Sequence, residues 1–235
     1  MAKKPLKHPE QIEVAYSEEC WILLKALRKK AVEIMMPLEL ANLNSVTHGS
    51  IARGDVSEKS DIDVFVLNPP GSFQVESTLE KSGFSINRRI LVQATPSYAA
   101  KAHVELDSQR VVSFPLMKMR QLERDFYRFG GEVSLEMLKS SRRVLGIDKR
   151  LMLIEPTEHG HVESSIVGRE EIVAKLLHVS VEAVFDRVHA LLRRDEIGRT
   201  GVFVERELTS DETFEMVLRK LAKVNPAVKR RLRLY

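Results

Sequence analysis

The sequence predicts an α/β (α+β) protein: a mixed β-sheet domain with flanking helices over residues 1–146, followed by a small winged helix-turn-helix-like domain over residues 147–235. Three observations predict it. Short β-branched and apolar runs stand between helix-period segments in the first part of the chain. Two of those runs flank a polar turn, as the arms of a hairpin do. Farther on, two helix-period segments are separated by His178-Val179-Ser180, the length of a helix-turn-helix corner.

The elements follow in order. Cys20, Leu24, Leu27, Ala31 and Ile34 or Met35 repeat at helical spacing, which predicts a helix over residues 18–36 that stops before Pro37. Ser45–His48 reads as a short strand leading into Gly49. Ile62–Leu67 is nearly continuous in apolar residues, as a buried strand is, and Asn68-Pro69-Pro70-Gly71 breaks it. Ser72–Lys81 reads as a helix and Ile90–Ala94 as a third strand. Ala102–Leu106 and Val111–Phe114 form the hairpin around Asp107-Ser108-Gln109, and Pro115 ends it. Leu116–Phe129 is helical up to Gly130-Gly131, and Ser134–Leu145 is a further helix. Leu151–Ile154 is a short apolar run. Glu170–Leu177 is a helix, and Ser180 is placed to cap the next one, where Val181, Val184, Phe185, Val188, Leu191 and Leu192 share a face. Ile197–Val204, with Gly198 and Gly201, reads as a wing. Thr209-Ser210-Asp211-Glu212 is a capping box opening a helix with Phe214, Val217, Leu218 and Leu221 inward, which Pro226 ends or follows.

Composition narrows the class. Of 235 residues, 43% are hydrophobic and 30% charged, as in a globular protein. The longest apolar candidate, Cys20–Met36, is broken by Lys25, Arg28, Lys29 and Lys30, so no run approaches the ~20 residues that span a bilayer. Met1-Ala2-Lys3-Lys4-Pro5 is basic without an apolar core behind it and does not read as a secretory signal. Cys20 is the only cysteine, which excludes an intramolecular disulfide and a thiolate metal site. A cytoplasmic location and no membrane partner are expected. The net charge of +4 permits a nucleic-acid partner without requiring one. From Gly168 to Tyr235 there are 14 Lys+Arg against 11 Asp+Glu, so most of the excess lies in the last third.

The chemistry is concentrated in residues 48–67, HGSIARGDVSEKSDIDVFVL. Side chains alternate along a strand, so Asp61 and Asp63 point together while Ile62 turns to the core. Paired carboxylates suit hard divalent cations, and two such ions about 3.5–4 Å apart stabilise phosphoryl transfer. Gly49 lets backbone approach a phosphate closely. Ser50 offers a hydroxyl and an amide, and a helix starting after it would favour an anion. Arg53 would add positive charge, and Gly54 permits the turn back.

This stretch resembles the DNA polymerase β nucleotidyltransferase superfamily, whose signature is Gly-Ser, then Ala-Arg-Gly, then Ser-Asp-Ile-Asp before a strand. Gly49-Ser50, Ala52-Arg53-Gly54 and Ser60-Asp61-Ile62-Asp63 match it in order, and the likeness is nearest to archaeal predicted nucleotidyltransferases and minimal nucleotidyltransferase domains. The resemblance implies a metal-dependent enzyme, using Mg²⁺ or Mn²⁺, that moves a nucleoside monophosphate from an NTP to an acceptor hydroxyl on nucleic acid or protein and releases pyrophosphate. It implies Gly49, Ser50 and Arg53 at the nucleotide and Asp61 and Asp63 at the metal. The superfamily also supplies a third carboxylate from a later strand. Here that strand reads Arg110-Val111-Val112-Ser113-Phe114-Pro115, without one. Glu105 on the preceding arm is the substitute candidate; across a two-residue turn at Ser108-Gln109 it would face Val112. Otherwise it is a surface strand residue, and Asp107 a turn former. The alternative that this departure opens is a nucleotide-binding, DNA-binding regulator with a degenerate transferase site.

Remaining residues read more plainly. His48 is a packing residue beside the motif, His159 and His161 loop residues, His178 and His189 structural, and Trp21 core. Lys139, Arg142 and Arg143 form a solvated helix face, with Arg142 and Arg143 in reach of an anionic acceptor. Arg187, Arg193, Arg194, Arg199 and Arg206 would give the C-terminal third nucleic-acid contacts, helped by Lys229-Arg230-Arg231-Leu232-Arg233. Asp186, Asp195, Glu196, Glu205 and Glu207 are interleaved, as a docking module would have them.

Overall fold

The computed structural model describes residues 11–69, 71–198 and 201–233. Met1–Pro5, Pro70 and Arg199 lie outside these described residues. In chain order the elements are β1 (Ile12–Ala15), α1 (Glu18–Leu40), β2 (Ser45–His48), α2 (Ser50–Arg53), β3 (Ile62–Val66), α3 (Ser72–Lys81), β4 (Arg88–Gln93), β5 (Lys101–Glu105) and β6 (Arg110–Pro115). Then come α4 (Gln121–Phe129), β7 (Glu132–Ser134), α5 (Leu135–Lys139), β8 (Gly146–Ile147), β9 (Met152–Thr157), β10 (Gly160–Ser165), α6 (Glu170–Leu177), α7 (Val181–Ile197), β11 (Val204–Glu207), α8 (Phe214–Val224) and α9 (Pro226–Arg233). The result is a mixed α/β fold with flanking helices.

The chain divides into two compact units that interleave in sequence. The first holds residues 1–30, 47–60 and 121–200, the second residues 31–46, 61–120 and 201–235. Residues 146 and 147, where the sequence places a division, both belong to the first unit.

In the first unit, β1, β10, β9 and β8 form an antiparallel sheet in that order. Leu151, Leu153 and Ile166 from this region pack with Val173, Leu177, Val184 and Val188 of α6 and α7. The three-residue corner between those helices is present. Ser180 caps α7 by accepting from the Ala183 amide, and its own amide donates to Asp125 of α4 at 2.9 Å.

In the second unit the strand order is β11-β4-β5-β6-β3-β2. β3 pairs β6 in parallel; the β5–β6, β4–β5 and β11–β4 pairs are antiparallel. Val64, Val112, Val104 and Ala102 are fully buried on one face. Phe214 of α8 is fully buried against Phe114, their rings 5.8 Å apart and edge-on.

Several elements depart from expectation, each for a local reason. α1 continues through Pro37 because Met35 and Leu38 bury the turn around it, and the helix ends instead at Leu40, ahead of Asn42 in the left-handed conformation. Ser134–Leu145 is a strand end and a single short helix, stopped as Ser141 takes φ 58°. Leu151–Ile154 belongs to the β9–β10 hairpin, so His161 is a strand residue and not a loop residue. The wing expected over Ile197–Val204 is not formed among the described residues. Ile197 ends α7, and Val204 opens β11, which satisfies the edge of β4 and brings Glu207 to Arg88 at 2.8 Å. α8 starts at the Thr213 cap, one turn after Thr209, and Pro226 opens α9 behind an Asn225 side chain that accepts from the Ala227 amide.

The Phe114–Phe214 pair ties residues 201–235 to the second unit's core. Phe214→Ala should cost about 3–5 kcal/mol in urea unfolding of the whole chain. A loss below about 1 kcal/mol, the size of an exposed change, would mean that this segment is not part of that core.

Candidate functional site

The motif is divided between the units at Ser60–Asp61, and each half is built differently. In the first unit Gly49 follows β2 with φ 76°. Its amide donates to the Gly131 carbonyl at 2.9 Å, and its own carbonyl accepts from the Ala52 and Arg53 amides at 3.0 Å. That starts the single turn of α2, whose first amides, those of Ser50 and Ile51, have no preceding helical turn to bond. The Ser50 hydroxyl donates to Ser60 Oγ at 3.2 Å, and Ser60 Oγ accepts from the Ser57 amide at 2.9 Å. Gly54 closes the turn at φ 106°, its amide donating to the Ser50 carbonyl at 2.6 Å.

Arginines brace this loop from behind. Arg53 is buried and bidentate to Asp55 at 3.0 and 2.9 Å, and donates to the carbonyls of Gly130 at 2.6 Å and Ile147 at 3.3 Å. Its guanidinium is thus directed at protein acceptors. Arg28 of α1, also buried, donates to the Ile51 and Ala52 carbonyls at 3.0 and 3.1 Å. Burial, with Arg143 in second place, lowers its pKa to about 10. Sequence reasoning missed Arg28. Its signal was a charge on the apolar face of α1, four residues after Leu24 and three before Ala31. Arg143 lies over the rings of Trp21 at 4.7 Å and Tyr16 at 5.7 Å, and donates to the carbonyls of Gly160 and Thr157. It is held by these groups rather than on a solvated helix face, because residues 140–145 are not helical. His48 packs edge-on to Tyr127 and Phe126. His161 shares a 2.7 Å hydrogen bond with Tyr16, and burial foremost lowers its pKa.

In the second unit Asp61 is exposed just before β3, Ile62 is fully buried, and Asp63 is half-buried. The Ile62 amide donates to the Gln109 carbonyl at 2.8 Å, which fixes where the strand begins. Asp63 is paired across the parallel ladder with Val111, and Val111 across the antiparallel ladder with Glu105. The expected pairing of Glu105 with Val112 is therefore corrected by one residue. Asp107 accounts for the shift: its carboxylate accepts from the Gln109 and Arg110 amides at 2.8 and 2.7 Å and from Arg110 Nε at 2.7 Å, closing a three-residue turn. The correction puts Glu105 on the same face as Asp63, but with β6 between their strands. Glu105 meets Arg88 at 3.2 Å, and Arg88 also holds Glu207.

The next row on that face holds Phe65, Ser113 and His103. His103, which sequence reasoning passed over, has its pKa lowered to about 4, chiefly by burial and then by Lys101, against the opposing pull of Asp63. The polar–apolar alternation of Lys101-Ala102-His103-Val104-Glu105 carried that information.

A family model described as the nucleotidyltransferase domain matches residues 28–129. This stretch is a nucleotidyltransferase domain of the DNA polymerase β superfamily. No curated protein and no solved structure matches the chain. The nucleotidyltransferase domain includes every candidate site residue, from Gly49 to Glu105. Among the described residues no three His, Cys, Asp or Glu side chains converge on a metal position, and Val111 occupies the place beside Asp63 on the neighbouring strand. No helix of the described residues is long and apolar enough to cross a membrane.

Two outcomes follow. A Cβ on Gly54 would lie 2.6 Å from Arg143 Cδ and would occupy a positive φ. Gly54→Ala should destabilise the chain by about 1–3 kcal/mol. Adding Arg143→Ala should not restore stability in thermal melts, because the backbone strain persists and the arginine's bonds are lost; full recovery would assign the cost to the clash alone. For His103, the folded pKa near 4 lies below the unfolded value of about 6.5. Between those values the unfolded chain holds more protons, so this contribution to stability is complete above pH 6.5 and lost as pH falls toward 4. His103→Gln should flatten the stability–pH slope in that window; an unchanged slope would refute the assignment.

Proposed function

We propose that the nucleotidyltransferase domain binds a nucleoside triphosphate together with Mg²⁺ and serves as a nucleotide-binding regulator with a degenerate transferase site. The observation that carries this reading is the complete Gly49–Asp63 motif, with Asp63 paired to Val111 on a strand, Arg110–Pro115, that carries no carboxylate. Gly49 and the Ser50 amide and hydroxyl would bind phosphate oxygens. Asp61 and Asp63 would receive the cation that arrives on the triphosphate, since Mg²⁺ is commonly held by one or two carboxylates plus substrate phosphates; Mn²⁺ suits the same oxygens. Arg53 would position the cradle through Gly130 and Asp55 rather than touch the phosphates.

One observation favours a second reading. Glu105 shares the face of Asp63, so a rearranged Arg88–Glu105 pair would supply a third carboxylate and restore nucleotidyl transfer to an acceptor hydroxyl, with pyrophosphate released.

The test combines binding with turnover. With Mg²⁺, the purified chain should retain α-³²P-labelled NTP in equilibrium dialysis. Ser50→Ala and Asp63→Asn should each weaken retention by tenfold or more, about 1.4 kcal/mol. Incubation with cellular RNA, DNA and protein should leave the label on the nucleotide. Label on an acceptor that disappears in both Asp61→Ala and Glu105→Gln would establish the transferase instead. Failure to retain any NTP would overturn both readings.

A further inference from the structure

Helices α8 and α9 present a one-signed surface that the nucleotide site does not use. From Met216 to Arg233 the chain has seven Lys and Arg and no Asp or Glu. The buried side of these helices is fixed by Phe214, Val217, Leu218 and Val228. Arg231, 2% exposed, anchors α9 by donating to the carbonyls of Ser97 at 3.1 Å and Lys118 at 2.7 Å. That anchor leaves Lys229, Arg230 and Arg233 on the exposed side of α9, with Arg219, Lys220 and Lys223 exposed on α8.

Nearby acids are already engaged. Glu212 pairs with Lys220 at 3.0 Å and with Arg206 at 3.2 Å, and Glu215 accepts from the Ser72 amide and hydroxyl at 2.9 and 2.8 Å. Lys223, Lys229, Arg230 and Arg233 have no ion pair among the described residues. α7 is the opposite case: Arg193 and Arg194 are interleaved with Asp186, Asp195 and Glu196, and Arg187 lies over the Phe126 ring at 4.7 Å.

We propose that the exposed face of α8 and α9 binds nucleic acid through its phosphates. The fit is electrostatic: a row of uncompensated cations on two anchored helices suits a polyanion with regularly spaced charges. An anionic membrane is the poorer partner. A membrane-binding helix needs a free apolar face, whereas here the apolar face is buried and the large apolar side chains left exposed are Met216 and Val224. Phosphate contacts of this kind position a strand without reading its sequence.

The experiment is fluorescence anisotropy of the full chain with labelled single-stranded RNA and DNA across a salt series. The comparison is a K223A/K229A/R230A/R233A variant, whose substitutions are all at exposed positions, with thermal melts to establish that it folds. Wild-type affinity should fall steeply with salt. The variant should bind at least tenfold more weakly, with a log–log salt slope shallower by about 3, from ~0.7 per phosphate contact on single strands. NTP retention by the variant should equal wild type, and Asp63→Asn should bind nucleic acid normally, so failure of the nucleotide-site reading leaves this one standing. Salt-insensitive wild-type binding, equal binding by the folded variant, or capture by phosphatidylserine vesicles instead of nucleic acid would overturn the proposal.

Discussion

The placement of the carboxylates depends on side-chain alternation along β3. Ile62, Val64 and Val66 are all fully buried and commit one face to the core. Asp63 therefore has to stand on the other face, and a slip of one residue would bury it and expose Val64. Phe65 shares Asp63's face and is itself fully buried, so that face is open only at the start of the strand. The Ile62 amide bond to Gln109 fixes that start. The same register decides the neighbours: parallel pairing sets Val111 beside Asp63 and, through the Asp107-capped turn, Glu105 beyond it.

The phosphate half of the motif meets a different constraint. A loop that leaves and re-enters regular structure within a few residues exposes carbonyls that no ladder satisfies, and buried ones must find donors. Arginine supplies up to five N–H groups in a fixed fork. Arg28 and Arg53 spend theirs on Ile51, Ala52, Gly130 and Ile147 carbonyls and on Asp55. Positive charge near Gly49 and Ser50 is consequently structural first, and a bound phosphate would rely on backbone amides and hydroxyls more than on an arginine finger.

What was legible in the sequence follows from range. β2, β3, the β5–β6 hairpin and the α6–α7 corner rest on local periodicity and turn chemistry, and they stand within a residue or two of where the pattern puts them. The motif was legible because its residue types and spacing are local as well. The one-residue register of the hairpin was not, because it depends on how the Asp107 side chain counts the turn. β1 and β11 were illegible or misread for a further reason. Each is a four-residue edge strand whose partner lies far along the chain, β10 for one and β4 for the other, and a pattern window cannot see that partner. Arg28, Arg143 and His103 were illegible for another reason: each is held by groups distant in sequence, Arg28 by the Ile51 and Ala52 carbonyls, Arg143 by those of Gly160 and Thr157, and His103 by the strands beside β5.

Val111 bears on chemistry as well as on topology. A third carboxylate beside Asp63 would concentrate negative charge on one face and require two cations to relieve it, the arrangement that stabilises phosphoryl transfer. An apolar residue there leaves Asp61 and Asp63, a charge that one divalent ion can offset. His103, kept neutral by burial, adds no positive charge of its own to the face. Glu105 is drawn to Arg88, which already serves Glu207. Each of these neighbours holds down the charge around the pair, and under the proposed regulator reading that balance would favour retention of a single metal-bound nucleotide over stabilising the charge of a transferring phosphorus.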